Sequence, residues 1–304
     1  MKPKILVLYY TQTGQMQQVL ESIVSGMDGQ AEVDGVAIEP VQAYPFPWTT
    51  TSFFDALPAC MAHTPVTIKP LPADILNKEY DLIILGYQPW FLNPSLPIST
   101  FLQSEYAQLL KNKPVVTVIG CRKMWLHAQE KVKEYLHTHN SRLVGNIVLK
   151  DRAPGPISVV TAARWSFKGK KEATDLLPSA GISADDVAAA KRFGAPICKH
   201  LIADNLIGLQ QSLLALGAIR LNTALVATEQ RRIKHYRWGA KYIQGKNDTG
   251  RAKRIKLFKN IIVVGYIVWP AFLLLTLLKL LLKGPELQKD REYFRQLQYE
   301  NGRI

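Results

Sequence analysis

A turn near the start of the chain is the group of residues best equipped for chemistry. Thr11, Gln12, Thr13, Gly14, Gln15 and Met16 follow the apolar run at 4–10 and lead into a helix-like stretch. A strand that hands such a turn to a helix makes an anion site. The first helical N–H groups lack partners there, and the helix dipole adds partial positive charge. Thr11 and Thr13 add hydroxyl donors, and Gly14 lets the backbone come close. The turn has neither the Gly-Lys-Ser/Thr ending of a triphosphate loop nor the G-x-G-x-x-G spacing of a dinucleotide loop. A monophosphate held by neutral donors fits it best. No metal site is expected. Cys60, Cys121 and Cys198 are odd in number and far apart, with neither ligand spacing nor a disulfide framework, which fits a reducing compartment.

Five apolar runs, at 4–10, 31–38, 80–87, 114–120 and 143–149, are continuous enough to be strands covered on both faces. Helical stretches at 15–26, 98–111 and 125–139 fall between several of them. In the last, Trp125, Ala128, Val132 and Leu136 form an apolar stripe. The alternation predicts an α/β domain over residues 1–205, built on a doubly wound five-stranded parallel sheet. Two stretches depart from it. Residues 41–79 are a long insertion carrying Tyr44, Phe46, Trp48, Phe53 and Phe54, which either form a lid or binding loop or cover a sheet face. Residues 151–184 read as irregular, with a basic patch at 164–171. The first strand starts at Lys4, so no signal peptide is expected ahead of the fold.

The formal net charge of +14 is unevenly placed. Residues 1–230 carry 21 Lys/Arg against 19 Asp/Glu, and residues 231–304 carry 17 against 5. The basic character therefore belongs to a helical extension over 206–259 and to the C-terminal residues beyond it. The next 18 residues, 261–278, carry no charge, with Pro270 in their middle. That length is near the lower limit of a bilayer span, and the basic flank suits anionic lipid. Residues 260–283 are expected to be a membrane segment, spanning or re-entrant, with membrane contact through 231–283 and a short charged tail at 284–304. The alternative is a buried hairpin or a dimerisation helix, which leaves a homodimer open. No nucleic-acid-reading module accompanies the basic stretch.

The stretch "YYTQTGQ" resembles the phosphate loop of flavodoxin-like proteins, which cradle the monophosphate of FMN. In that fold, loops after the third and fourth strands flank the flavin ring beyond the carboxyl ends of the strands. The resemblance assigns Gln88, Pro89, Trp90 and Phe91 to the first loop and Gly120 and Cys121 to the second, with Trp90 stacking on the flavin. Gln88 and Asn93 either donate to the flavin edge or fix their own loop. The motifs "YPFPW…FFDALP", "GYQPWFLNPSLPISTFL", "VIGCRKMWLHAQEKVK" and "DRAPGPISVVTAARWSFKGKK" are in turn similar to the dialkylresorcinol-biosynthesis flavodoxin-like family. The similarity runs over about residues 3–175 and more loosely beyond. Members carry the labels condensing enzyme and aromatase. The resemblance implies a partner ketosynthase that joins two β-keto acyl chains into a 2,5-dialkylcyclohexane-1,3-dione, which this protein would aromatise to a dialkylresorcinol. Trp48, Phe53 and Phe54 would then meet a lipid-like substrate at the cytoplasmic face of the bacterial inner membrane.

Aromatisation is the chemically better label. Turning the dione into a resorcinol removes two electrons and two protons, for which a flavin is a competent acceptor. Condensation needs an activated nucleophile, normally a cysteine with histidine partners. Cys121 has no convincing histidine pair and is equally a small apolar filler. Arg122 and Lys123 are candidates to stabilise an enolate, or are solvated loop charges. His127 is the candidate base, unless its helix face turns to water, with His63 and Tyr87 as remoter candidates. Two other functions stay open: a membrane-associated flavodoxin-like quinone or porphyrinogen oxidoreductase, and a non-catalytic scaffold that recruits a ketosynthase to the membrane.

Overall fold

The computed structural model describes residues 2–245, 249–267 and 269–301, and the side chains of 266–275 are outside the description. Its centre is a parallel sheet of five strands: β1 (Lys4–Tyr9), β2 (Glu32–Ala37), β3 (Leu82–Tyr87), β4 (Pro114–Cys121) and β5 (Arg142–Lys150). The spatial order is β2-β1-β3-β4-β5. This is the flavodoxin-like order of doubly wound sheets, with its strand-order reversal between β1 and β3. All four pairings are parallel. The strands read as unbroken apolar runs because both faces are covered. Ile5 and Val7 pack into one layer, Leu6 and Leu8 into the opposite one.

The first layer comes from α1 (Gln15–Ser25) and from residues 190–213, including Phe193 and Ile197. Opposite it lies α3 (Leu126–Thr138), whose Ala128, Val132 and Leu136 face the sheet as the apolar stripe predicted. The insertion contains α2 (Thr50–Ala62), started by Thr49, whose hydroxyl accepts from the Ser52 N–H. Residues 151–184, expected to be irregular, hold α4 (Gly155–Lys168). It begins with Pro156 in its first turn and stops at Gly169 in the left-handed region (φ 69). Those are standard start and stop signals.

Beyond residue 222 lie α5 (Thr223–Gln244), α6 (Arg251–Ile267) and α7 (Trp269–Arg295), the last broken at Lys283 (φ −125, ψ 25). The expected membrane segment at 260–283 falls on the end of α6 and the start of α7, and partly outside the described residues. Among the described residues no helix is long and apolar enough to cross a membrane. Residues 293–298 pack back onto the sheet domain. Tyr293 and Phe294 are buried in the core, and the Tyr293 hydroxyl donates to Glu130 Oε2 at 2.6 Å. Buried Lys133 joins Glu130 Oε1 (2.8 Å) and the Gln298 carbonyl (2.9 Å).

One carboxylate ties α5 to the sheet domain. α3 has no side-chain cap of its own, and Glu229 supplies one from α5: Oε2 accepts from the Trp125 N–H at 3.0 Å and Oε1 from the His127 N–H at 2.9 Å. The unmet donors and the dipole at a helix start favour an acceptor there. Burial nevertheless dominates and pushes the Glu229 carboxyl from 4.5 up to about 7, against the pull of those N–H groups. Since the folded value is the higher one, Glu229 contributes its stability fully below 4.5 and loses it as pH rises through about 7. Urea unfolding across that window should therefore show wild type losing about 1.4 kcal/mol per pH unit relative to Glu229→Gln. Parallel pH profiles would contradict the buried cap.

Candidate functional site

A cavity of about 330 Å³ opens at the carboxyl ends of β1, β3 and β4, within the size range of small-molecule sites. Thr11, Gln12, Thr13, Gln15 and Met16 line it from the first turn, Gln88, Pro89, Trp90 and Phe91 from the turn after β3, and Gly120, Cys121 and Arg122 from the end of β4. Gly14 sits among them at φ 78, where a Cβ would meet nothing within 4 Å. The residue is needed for its left-handed backbone rather than for space. Gly120 is tighter: a Cβ there would lie 3.0 Å from Met16 Cε.

The start of α1 has no side-chain cap and no acid in its first turn. Its N–H donors therefore differ from those of α3, which Glu229 engages. The two glutamines of the turn do not add to the anion site, because their side chains are spent on the protein. Gln12 donates to the Pro45 carbonyl (3.1 Å) and accepts from Trp48 Nε1 (3.1 Å). Gln15 donates to the Ile182 carbonyl (3.0 Å) and accepts from the Ile182 N–H (3.1 Å). Gln12 thus pins the insertion over the turn, and Gln15 pins residues 181–182 beside it. Thr11, Thr13 and backbone N–H groups are left as the donors. In the wall, Gln88 Oε1 is buried and has no hydrogen-bond partner among the described residues. A buried polar atom without a partner is costly, and a bound polar ligand would relieve it.

Trp90 is fixed edge-on by three rings, with centroids at 5.7 Å (Tyr10), 4.9 Å (Tyr44) and 5.5 Å (Trp48). Such contacts hold one rotamer. Trp48 and Phe53 line the cavity. Phe54 does not: its ring turns away to Phe258 of α6 at 5.6 Å.

The three residues expected to carry the chemistry separate. Arg122 lines the cavity, and no hydrogen bond or ion pair holds its guanidinium among the described residues. Lys123 is not on the wall. Its ammonium donates to the carbonyls of Asp151 and Ala153, both at 2.6 Å, and burial lowers its pKa. His127 is not on the wall either, nor does it face water. The ring is buried, with Nδ1 on the Leu92 carbonyl (2.9 Å) and Nε2 facing the Arg237 guanidinium (3.2 Å). Burial above all lowers its pKa to about 4, so it is neutral and engaged at both nitrogens. His63 bonds Asn93 Oδ1 (2.9 Å), and Tyr87 donates to Gln129 within the core. None of these four reaches the cavity.

The sequence pattern missed one side of the site. Asp151, Ala162, Trp165, Ser166, Gly181 and Ile182 complete the wall, together with Phe46. Asp151 anchors the start of α4, accepting from the Ala153 N–H (2.8 Å) and the Ser158 hydroxyl (2.6 Å). Its place directly after the fifth apolar run was the available signal, since strand ends on this edge are where ligands bind. No cluster of three or more metal-ligating side chains occurs among the described residues.

No protein-family model and no curated protein matches the chain. Solved structures do. A flavoprotein in complex with FMN from Lactobacillus acidophilus is 18% identical over 48% of this chain and 93% of its own, with a TM-score of 0.38. A flavodoxin from the domain Archaea is 15% identical over 66% and 99%, at 0.38. A flavodoxin, WrbA-like protein from Agrobacterium tumefaciens is 12% identical over 66% and 98%, at 0.37. Superpositions this loose add nothing to the strand order, on which the fold assignment rests.

Cys121 touches the cavity, yet burial pushes its thiol up to about 12. The thiols of Cys60 and Cys198 are raised by burial as well. A thiol-reactive disulfide reagent at mildly alkaline pH should label none of the three cysteines in the native protein and all three after denaturation. Rapid labelling of native Cys121 would show a nucleophile where an inert thiol is expected.

Proposed function

We propose that this chain binds FMN in the cavity and uses it for the oxidative aromatisation of a 2,5-dialkylcyclohexane-1,3-dione to a dialkylresorcinol. One observation carries the FMN assignment. At the strand-order reversal of a flavodoxin-like sheet, the start of α1, with Gly14 at its N-cap, opens on a cavity walled by a fixed tryptophan and by Gln88, whose Oε1 has no partner among the described residues. The phosphate would be held by the Thr11 and Thr13 hydroxyls and the first N–H groups of α1, and the ring by Trp90 and Gln88. Bound FMN supplies a two-electron acceptor.

The residues of the chain do the rest. Trp48, Phe53 and Phe91 give the cavity an apolar, water-excluding wall suited to an alkylated ring. Arg122, a cation on that wall with no partner among the described residues, neutralises the oxygen that becomes an enolate when the ring loses its proton. The raised Cys121 thiol speaks against carbon–carbon condensation, which needs a thiolate. A partner ketosynthase would supply the dione.

The test is an anaerobic mixture of the full-length flavoprotein with a dialkylcyclohexanedione. Flavin absorbance should bleach as resorcinol appears, one for one, and Arg122→Ala should slow this by about 10²-fold with FMN content unchanged. Bleaching by reduced nicotinamide followed by transfer to a quinone, with the dione inert, would replace the aromatase with a quinone oxidoreductase. A protein that neither retains nor takes up FMN would leave the scaffold.

A further inference from the structure

We infer that α5 and α6 form a docking face for an anionic phospholipid surface, lying on the bilayer rather than crossing it. The face combines cations with apolar groups that no described part of the chain covers. On α5, Lys234, Trp238 and Lys241 are exposed and recur at helical spacing, with Trp238 49% exposed. On α6, Lys253, Lys256, Leu257, Ile261 and Val264 are all exposed and follow the three- and four-residue steps of one helix face. That stripe runs from basic to apolar along the helix, and Leu257 and Val264 keep 50% and 55% of their surface in water. Trp238 packs 6.0 Å from Phe258, which joins the two helices into one surface. Trp238 also stacks on Tyr242, with ring centroids 5.5 Å apart and planes 11° apart. On α7, Leu281 and Leu282 are 82% and 74% exposed.

Charge selects the occupant. Residues 231–259 hold 11 Lys/Arg, and Asp248 is the one acid between 231 and 285. A second copy of so basic a face would repel its twin, whereas an anionic headgroup layer complements it. Basic helices with exposed aromatic and aliphatic groups are the pattern of interfacial binding. A patch of this kind on a protein facing only water would be unusual.

The face also reaches toward the cavity. Phe53 and Phe91 of the cavity wall continue into α5 and α6 through ring contacts: Phe53 to Phe54 (5.2 Å), Phe54 to Phe258 (5.6 Å) and Phe91 to Tyr236 (5.6 Å). A protein docked by α5 and α6 therefore has an aromatic path from lipid to cavity wall. This path as a substrate route rests on the proposed aromatisation of a lipid-like ring; the docking does not.

The experiment is co-sedimentation of full-length protein with vesicles of phosphatidylcholine alone and of phosphatidylcholine mixed with phosphatidylglycerol, read without reference to flavin. A failed docking and a failed oxidoreductase are thereby told apart. Binding should require phosphatidylglycerol and weaken with salt. The set K234Q, K241Q, K253Q and K256Q should lower it by about 600-fold, since each surface lysine contributes roughly fivefold. A control set removing as many exposed lysines elsewhere (K2Q, K111Q, K191Q and K199Q) should change it less than threefold. The set L257Q, I261Q and V264Q should abolish the fraction that resists high salt. Equal losses from the two lysine sets would overturn the face, as would no preference for the mixed vesicles. So would a dimer in solution that the α6 substitutions dissociate, or capture of duplex DNA with no vesicle binding.

Discussion

Everything at the functional edge derives from donors that helices cannot satisfy themselves. In a parallel sheet the strands end on one edge, and the helices that come next start there, each with N–H groups lacking internal partners. Here two such starts matter, and the chain treats them differently. Glu229 reaches into the start of α3 and satisfies its first donors, at the cost of a buried carboxyl held near neutrality. Among the described residues no side chain reaches the start of α1 in this way, and its N-cap is Gly14. The strand-order reversal opens the sheet beside it, so the one uncapped start of the pair faces a cavity large enough for a planar ligand.

The rest of the site consists of devices that hold the walls in place. Gln12 and Gln15 spend their side chains on Trp48, Pro45 and Ile182, bringing an insertion and a distant loop over the first turn. Trp48 and Tyr44 then lock Trp90. Lys123 ties the β4 loop to the chain after β5. These contacts cross long sequence separations, so the cavity is a product of tertiary packing around a short local motif. The C-terminal helices belong to the same construction. They supply Glu229 and Arg237 to the sheet domain and place Tyr236 and Phe258 behind the cavity's aromatic wall.

How much of this the sequence disclosed depended on the range of the physics involved. The five strands were legible because burial on both faces leaves continuous apolar runs, and α3 because Ala128, Val132 and Leu136 keep a helical period. The first turn was legible because its donors and its glycine are contiguous. α4 was missed, since small residues between Gly155 and Lys168 blur the period, and with it went the wall formed by Trp165 and Ser166. His127 was misread for a different reason. The helix that buries it begins nearly a hundred residues later, and no local pattern announces Arg237 at its ring. Lys123 fails in the same way, because its partners are carbonyls reached only when β4 and β5 pair. The uncharged run at 261–278 suggested a membrane segment, spanning or re-entrant; it is shared between α6 and α7, and no helix long and apolar enough to cross a membrane occurs among the described residues.

In the proposed reading, the start of α1 holds a monophosphate attached to a flat ring. The most direct test is a fluorescence titration of flavin-free protein with FMN and, in parallel, with riboflavin, which lacks only the phosphate. Charge-assisted hydrogen bonds at an uncapped helix start contribute about 3 kcal/mol, so FMN should bind at least ~10²-fold more tightly. Equal affinity for the two, or binding of neither, would mean that the start of α1 is not a phosphate site.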